Sequence, residues 1–159
     1  MAPLTIHRHE LRTIIDAAES AYPLECCGLL VGTIDRFQQT VTHVVPAGNI
    51  TAADRRVVTR VVPAANVAPD DHRRRYQMDP AAVFEAFRRA RHAGQHVLGF
   101  YHSHPDGPPA PSSHDRQTAW PEKSYLIVAL RAGRCDSLKS WRVDTEGTDL
   151  IEEPIDTPE

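Results

Sequence analysis

Short apolar runs cut off by glycine or proline, with only two long amphipathic stretches among them, constrain this chain most. The runs are Cys27–Gly32, Phe37–Val45, His96–His102, Ser124–Arg131 and Ser137–Val143, each apolar or rich in β-branched residues. Their lengths suit strands. Helical spacing occurs twice. Leu11, Ile14, Ile15 and Ala18 form a stripe that predicts a helix over His7 to Ala21, stopped by Pro23. Asp79 and Pro80 supply an N-cap and a first-turn proline, Val83, Phe84, Phe87 and Ala90 a second stripe, and Gly94 a C′ glycine. A helix over Pro80 to Ala93 follows. Strands cluster instead of alternating strictly with helices, so the expected fold is mixed α/β (α+β), a largely antiparallel β-sheet flanked by helices.

A chain of 159 residues has room for one domain with a single core, and 41% hydrophobic against 25% charged residues is the balance of a globular protein. The slightly acidic net charge of −3 argues against nucleic acid as a partner. The longest apolar stretch, Tyr125 to Leu130, is too short to span a bilayer, and the N-terminus lacks the blocks of a signal peptide. Three cysteines, two of them adjacent at Cys26 and Cys27, do not make an extracellular disulfide framework. The expectation is a cytoplasmic protein with no membrane partner. Residues 144–159 are acidic and read as an extension following a domain over 1–143.

Val41–Asn49 matches Val58–Asn66 at an offset of 17 residues, and the match extends to Asp54/Asp71 and Arg56/Arg73. One extra copy is too little for a solenoid, so it reads as a local duplication that lengthens a hairpin or adds an edge strand. Arg55, Arg56, Arg60, Arg73, Arg74, Arg75, Arg88, Arg89 and Arg91 crowd the middle of the chain. They read as a solvated surface, with a docking face for an acidic partner as the sharper alternative.

Chemistry concentrates between Gly99 and Asp115. His102 and His104 end an apolar strand, and the period-2 pleat turns both imidazoles to one face, within reach of one metal ion. A Pro/Gly-rich loop, Pro105–Pro111, leads to a short helix over Ser113 to Trp120 that carries Asp115. Two histidines and one carboxylate leave a fourth position for water, the pattern of catalytic zinc; iron and manganese accept the same ligands. Hydrolysis is the expected chemistry, and it needs a proton acceptor. Neither His-Glu-x-x-His nor Pro-Cys-x-x-Cys is present. Glu25, before Cys26-Cys27-Gly28, is the candidate, on a buried strand beside Leu29 and Leu30 where desolvation raises a carboxyl pKa.

This arrangement resembles the JAMM, or MPN-plus, zinc metallopeptidases, whose pattern is an early glutamate, His-Ser/Thr-His-Pro, a spacer, Ser, two residues and Asp. His102, Ser103, His104 and Pro105 stand in order, seven residues separate His104 from Ser112, and two separate Ser112 from Asp115. The segments around Glu25 and Trp120–Val128 are similar to the short bacterial branch, which processes ubiquitin-like sulfur-carrier proteins. The resemblance runs from Leu4 to Val143 and implies a JAMM/MPN (cytidine-deaminase-like) core. It implies that one Zn2+ is bound by His102, His104 and Asp115, that Glu25 is general base and then general acid, and that Ser112 stabilises the oxyanion. The duplicated segment departs from the family pattern.

Other readings stand beside these. Glu25 alone reads as a surface carboxylate after Pro23, and Ser112, or its competitor Ser113, as the N-cap of the helix carrying Asp115. His114 reads as solvent-facing, Cys26 and Cys27 as small core residues with a thiol-protease alternative, and Tyr101 and Trp120 as core or cleft aromatics. At the level of function, the alternatives to a peptidase or isopeptidase are a non-cleaving module that binds a ubiquitin-like partner and a zinc hydrolase of a small-molecule amide.

Overall fold

The computed structural model of the chain describes residues 1–35, 54–144, 146–147 and 149–159. The elements run β1 (Leu4–Ile6), α1 (Arg8–Ala21), β2 (Cys27–Asp35), β3 (Arg55–Ala64), α2 (Pro80–His92), β4 (His96–Pro105), α3 (Ser113–Thr118), β5 (Ser124–Arg131), β6 (Arg134–Val143), β7 (Leu150–Glu153) and β8 (Ile155–Asp156). The strand expected over Phe37–Val45 and the first copy of the repeat lie outside the described residues.

All eight strands join one sheet in the order β7-β6-β5-β4-β2-β3-β1-β8. β2 pairs antiparallel with β3 and β4, and β6 antiparallel with β5 and β7, while β4 and β5 run parallel. The mixed, mostly antiparallel sheet with helices agrees with the expected class. Alternation along each strand divides the core. Leu30, Leu98, Tyr101 and Leu126 meet Ile14 and Ala18 of α1 on one face. Leu29, Val97, Phe100 and Tyr125 meet Ala86 and Ala90 of α2 on the other. Asp79 caps α2 by accepting from the Ala81 N–H at 3.1 Å, and Gly94 beyond its end takes φ +67°.

The structure corrects some of these expectations and adds elements that the sequence did not show. The second copy of the repeat is not an edge strand: it forms β3, which pairs antiparallel with β2 and lies inside the sheet between β2 and β1. β1 is only three residues long and runs straight into a helix, too short to show a period. The acidic segment 144–159 lays two strands on the same sheet, β7 on β6 and β8 on β1, with only Pro154 between them. Segment 150–156 therefore touches both ends of the strand order, so the sheet curls until its margins meet. Arg56, expected at a solvated surface, is wholly buried at this closure. Its guanidinium bonds Glu153 Oε2 at 2.5 Å and the Ser124 hydroxyl, while Ser140 Oγ donates to Glu153 Oε1 at 2.7 Å. A guanidinium so placed is costly to bury unless it is paired.

Glycines set the strand spacing at one decisive place. A Cβ on Gly99 would lie 2.0 Å from the Ser124 carbonyl oxygen, so only glycine lets β4 approach β5 this closely. β4 then runs on to His102 and His104.

Candidate metal centre

β4 ends where β2 begins, and the site forms at that margin: Cys27 pairs with His102 across the antiparallel ladder. As the pleat requires, both imidazoles turn to one face. Their Nε2 atoms are 3.0 Å apart, and Asp115 Oδ2 lies 3.3 Å from His102 Nε2 and 3.4 Å from His104 Nε2. Ligands held tetrahedrally about 2.0–2.1 Å from zinc stand about 3.3 Å from one another. Among the described residues this is the one group of three or more His, Cys, Asp or Glu side chains close enough to share an ion. Donor chemistry and spacing thus fit a single zinc ion.

Local structure presets these atoms. The His104 Nδ1–H donates to the Pro108 carbonyl at 2.8 Å, leaving Nε2 with its lone pair facing Asp115 and His102. Asp115 sits at the third position of α3 in a capping box: its Oδ2 accepts from the Ser112 N–H at 2.8 Å, and Ser112 Oγ accepts from the Asp115 N–H at 3.1 Å. Ser112, not Ser113, is the cap, and its hydroxyl hydrogen stays available to donate. His102 has no such tether, because its Nδ1 is buried without a hydrogen-bond partner. Its ring is held instead by Tyr76, stacked at 4.5 Å between centroids and 23° between planes.

The electrostatics follow from this crowding. Burial opposes charge on Asp115, yet the two adjacent histidines and the Ser112 backbone N–H outweigh it and hold the carboxyl well below its usual range. Burial lowers the pKa of His102; at His104 burial acts the same way, but contacts with Asp115 and the Pro108 carbonyl overcome it and raise the value. A cation is thus favoured at the centre of the triad.

Glu25 lies just before β2, not on it, because its backbone bonds away from the ladder. Its N–H donates to the His72 carbonyl at 2.6 Å, and its own carbonyl accepts from Asn66 Nδ2 at 3.2 Å. One residue on, Cys26 and Ser103 exchange bonds: the Cys26 N–H donates to Ser103 Oγ at 2.9 Å, and the Ser103 N–H to the Cys26 carbonyl at 3.1 Å. The middle residue of His-Ser-His therefore anchors the glutamate segment to the strand of the histidines. Burial pushes the Glu25 carboxyl up to about 7, against the opposing pull of His104. Glu25, His104, Ser112 and Asp115 line one cleft of roughly 290 Å³.

All five candidates named from the sequence therefore converge. Cys27 is buried, its thiol pushed up to about 12 chiefly by burial, and Cys26 is raised for the same reason, so neither supplies the thiolate a thiol protease needs. Tyr101 packs in the core against Gly28, while Trp120 is about half exposed beside the site. His114, expected to face solvent, is half-buried and lines the cleft, because the short α3 lies along it. Tyr76, Asn66 and Ser103 were given no role by sequence reasoning. Tyr76 and Asn66 stand far from the His-Ser-His run in the chain, and Ser103 alone carried a signal, as a small hydroxyl between two ligands.

The chain is similar to known proteins in sequence and in fold. The chain is 36% identical over 108 residues to the desampylase of Haloferax volcanii, a match that covers 67% of this chain; the chain spans 63% of that relative's length. The solution structure of a protein from Desulfitobacterium hafniense is 30% identical, with a TM-score of 0.74 over 98% of this chain and 93% of that one. A JAB1/MPN domain protein from Archaeoglobus fulgidus, 20% identical, shares the fold with a TM-score of 0.51 over 98% of this chain and 96% of its own. The model of prokaryotic homologs of the JAB domain matches residues 7–144, and with the fold and triad described above the chain belongs to that family, the prokaryotic side of the JAMM/MPN proteins.

Proposed function

We propose that this protein is a zinc-dependent peptidase or isopeptidase that cuts an amide bond at the C-terminus of a ubiquitin-like sulfur-carrier protein in the cytoplasm, exposing its Gly-Gly end. The observation that carries the reading is the Nε2, Nε2, Oδ2 triangle of His102, His104 and Asp115 with the buried Glu25 on the same cleft. Similarity to the Haloferax volcanii desampylase supports a hydrolase acting on ubiquitin-like modifiers. No helix among the described residues is long and apolar enough to cross a membrane.

Zinc held by the triad would bring the pKa of a bound water toward about 7 and polarise the scissile carbonyl. Glu25, with its pKa near the working pH, takes the proton from the attacking water and returns it to the leaving nitrogen. The carbonyl C–N bond breaks, a C–O bond forms, and the nitrogen leaves as an amine. Ser112, whose oxygen is occupied by the Asp115 N–H, keeps its O–H to donate to the carbonyl oxygen as negative charge grows there. His104 is kept in the metal-binding tautomer by Pro108, and the clamps of Asn66, His72 and Ser103 keep Glu25 in place.

The test incubates the purified, zinc-assayed protein with a ubiquitin-like sulfur carrier bearing extra C-terminal residues and reads the product by mass spectrometry. Trimming to Gly-Gly that vanishes with Glu25→Gln and with a chelator supports the reading. Stoichiometric zinc without cleavage refutes the substrate, and absence of metal binding refutes the enzyme.

A further inference from the structure

Beside the cleft of Glu25 lies a second hollow of roughly 500 Å³, walled by Tyr76, Met78, Val83, Phe100, Trp120 and Tyr125. Its aromatic wall is fixed by ring contacts: Phe100 meets Trp120 edge to face at 5.5 Å and Tyr125 at 5.7 Å. The Tyr125 hydroxyl oxygen accepts from the Trp120 backbone N–H at 2.6 Å, which fixes its ring. The hollow is therefore shaped for an apolar group.

It adjoins the cleft. Tyr76 and His114 line both, and Tyr76 is the ring stacked on His102. A group in the hollow lies against the ring that backs a metal ligand, which assigns it to a residue near the scissile bond. Under the function proposed above the residue on the acyl side is glycine, which has no side chain. The occupant must come from the leaving side.

Charge around the two depressions specifies it further. Arg73 and Arg74 border the cleft and Arg75 the hollow, all three exposed. None forms an ion pair among the described residues. Guanidinium groups beside an apolar hollow complement an apolar side chain next to a carboxylate, the pair found at a free C-terminus. A lysine leaving through its ε-amine offers an apolar stem but no carboxylate beside the cut bond.

We infer that this hollow is the subsite for the first residue released, an apolar amino acid whose segment ends in a free carboxylate held by Arg73, Arg74 and Arg75. The inference rests on the peptidase reading and narrows it to linear C-terminal extensions over lysine-linked ones. Asp70, on the hollow's exposed rim, disfavours an acidic side chain there.

The zinc-loaded full-length protein is given peptides ending Gly-Gly-Phe, Gly-Gly-Leu, Gly-Gly-Ala and Gly-Gly-Asp, Gly-Gly-Phe as its amide, and Gly-Gly joined to a lysine ε-amine. Phe and Leu are expected to exceed Ala and Asp by about tenfold or more in kcat/KM, and amidation to cost about tenfold. Met78→Trp and Thr118→Trp, filling the hollow from two sides, are expected to bring the Phe-to-Ala ratio within about threefold. Thr118 is exposed at the end of α3, so this second variant spares the core. Equal rates throughout, an unchanged ratio in both variants, or faster cutting of the lysine-linked peptide overturns the inference. Binding is read separately by calorimetry of Gly-Phe and Gly-Phe amide on the Glu25→Gln protein. Preference for Gly-Phe that Thr118→Trp removes, with no peptide cut by the wild type, upholds the subsite and overturns the peptidase reading. Absence of any preference overturns the subsite whatever is cut.

Discussion

At the scale of single residues, Glu25 shows how burial tunes a group that composition leaves ordinary. Its carboxyl is pushed up to about 7, and it must be ionised to accept a proton. Activity should therefore rise with pH through the Glu25 pKa; a cation held by the triad favours the carboxylate and moves that limb to lower pH. Glu25→Gln should cost on the order of 10²–10⁴-fold in rate and abolish the limb in a pH-rate profile. A variant with wild-type rate would refute the assignment. Tyr76 is the other telling residue, because His102 has no hydrogen bond at Nδ1 and relies on stacking for its orientation. Tyr76→Ala is expected to weaken zinc binding about tenfold in a chelator competition, as removal of an outer partner of a metal-bound histidine does, while Tyr76→Phe retains the ring and the affinity.

At the scale of elements, β4 does most of the positioning. It lies between β2, which begins beside Glu25, and β5, and it delivers two side chains to one face. Gly99 permits the approach to β5. Gly99→Ala would drive a methyl group into the Ser124 carbonyl, and because backbone cannot yield as a side chain can, a loss of at least about 1–3 kcal/mol is expected in urea unfolding. The extents of α1, α2 and β5 were legible in the sequence because a stripe of 3.6 period and a proline stop mark α1, a stripe, an Asp79 cap and Gly94 mark α2, and an apolar run marks β5. β1 and β8 were not, since strands of three and two residues carry no periodicity of their own. Backbone pairing with β3 and with each other makes them strands.

At the scale of the whole molecule, closure of the sheet depends on a buried charge. Arg56, on the interior strand β3, and Glu153, on the terminal strand β7, are brought together across the closure, with Arg142 buried nearby, its pKa lowered first by burial and then by Arg56. Glu153→Gln leaves the guanidinium unbalanced and should cost about 3–5 kcal/mol of stability in urea unfolding. Arg56→Met with Glu153→Leu should recover most of that loss. By itself the sequence determined the helices, the strands β2, β4, β5 and β6 and the candidate triad, because capping, periodicity and ligand spacing are written in residues close together along the chain. Only tertiary structure decided that Arg56 is buried, that segment 150–156 reaches both margins of the sheet, that Asn66 and His72 hold Glu25, and that Tyr76 supports His102. Those contacts join residues distant in the chain, and what brings them together is the curl of a sheet that no local pattern encodes.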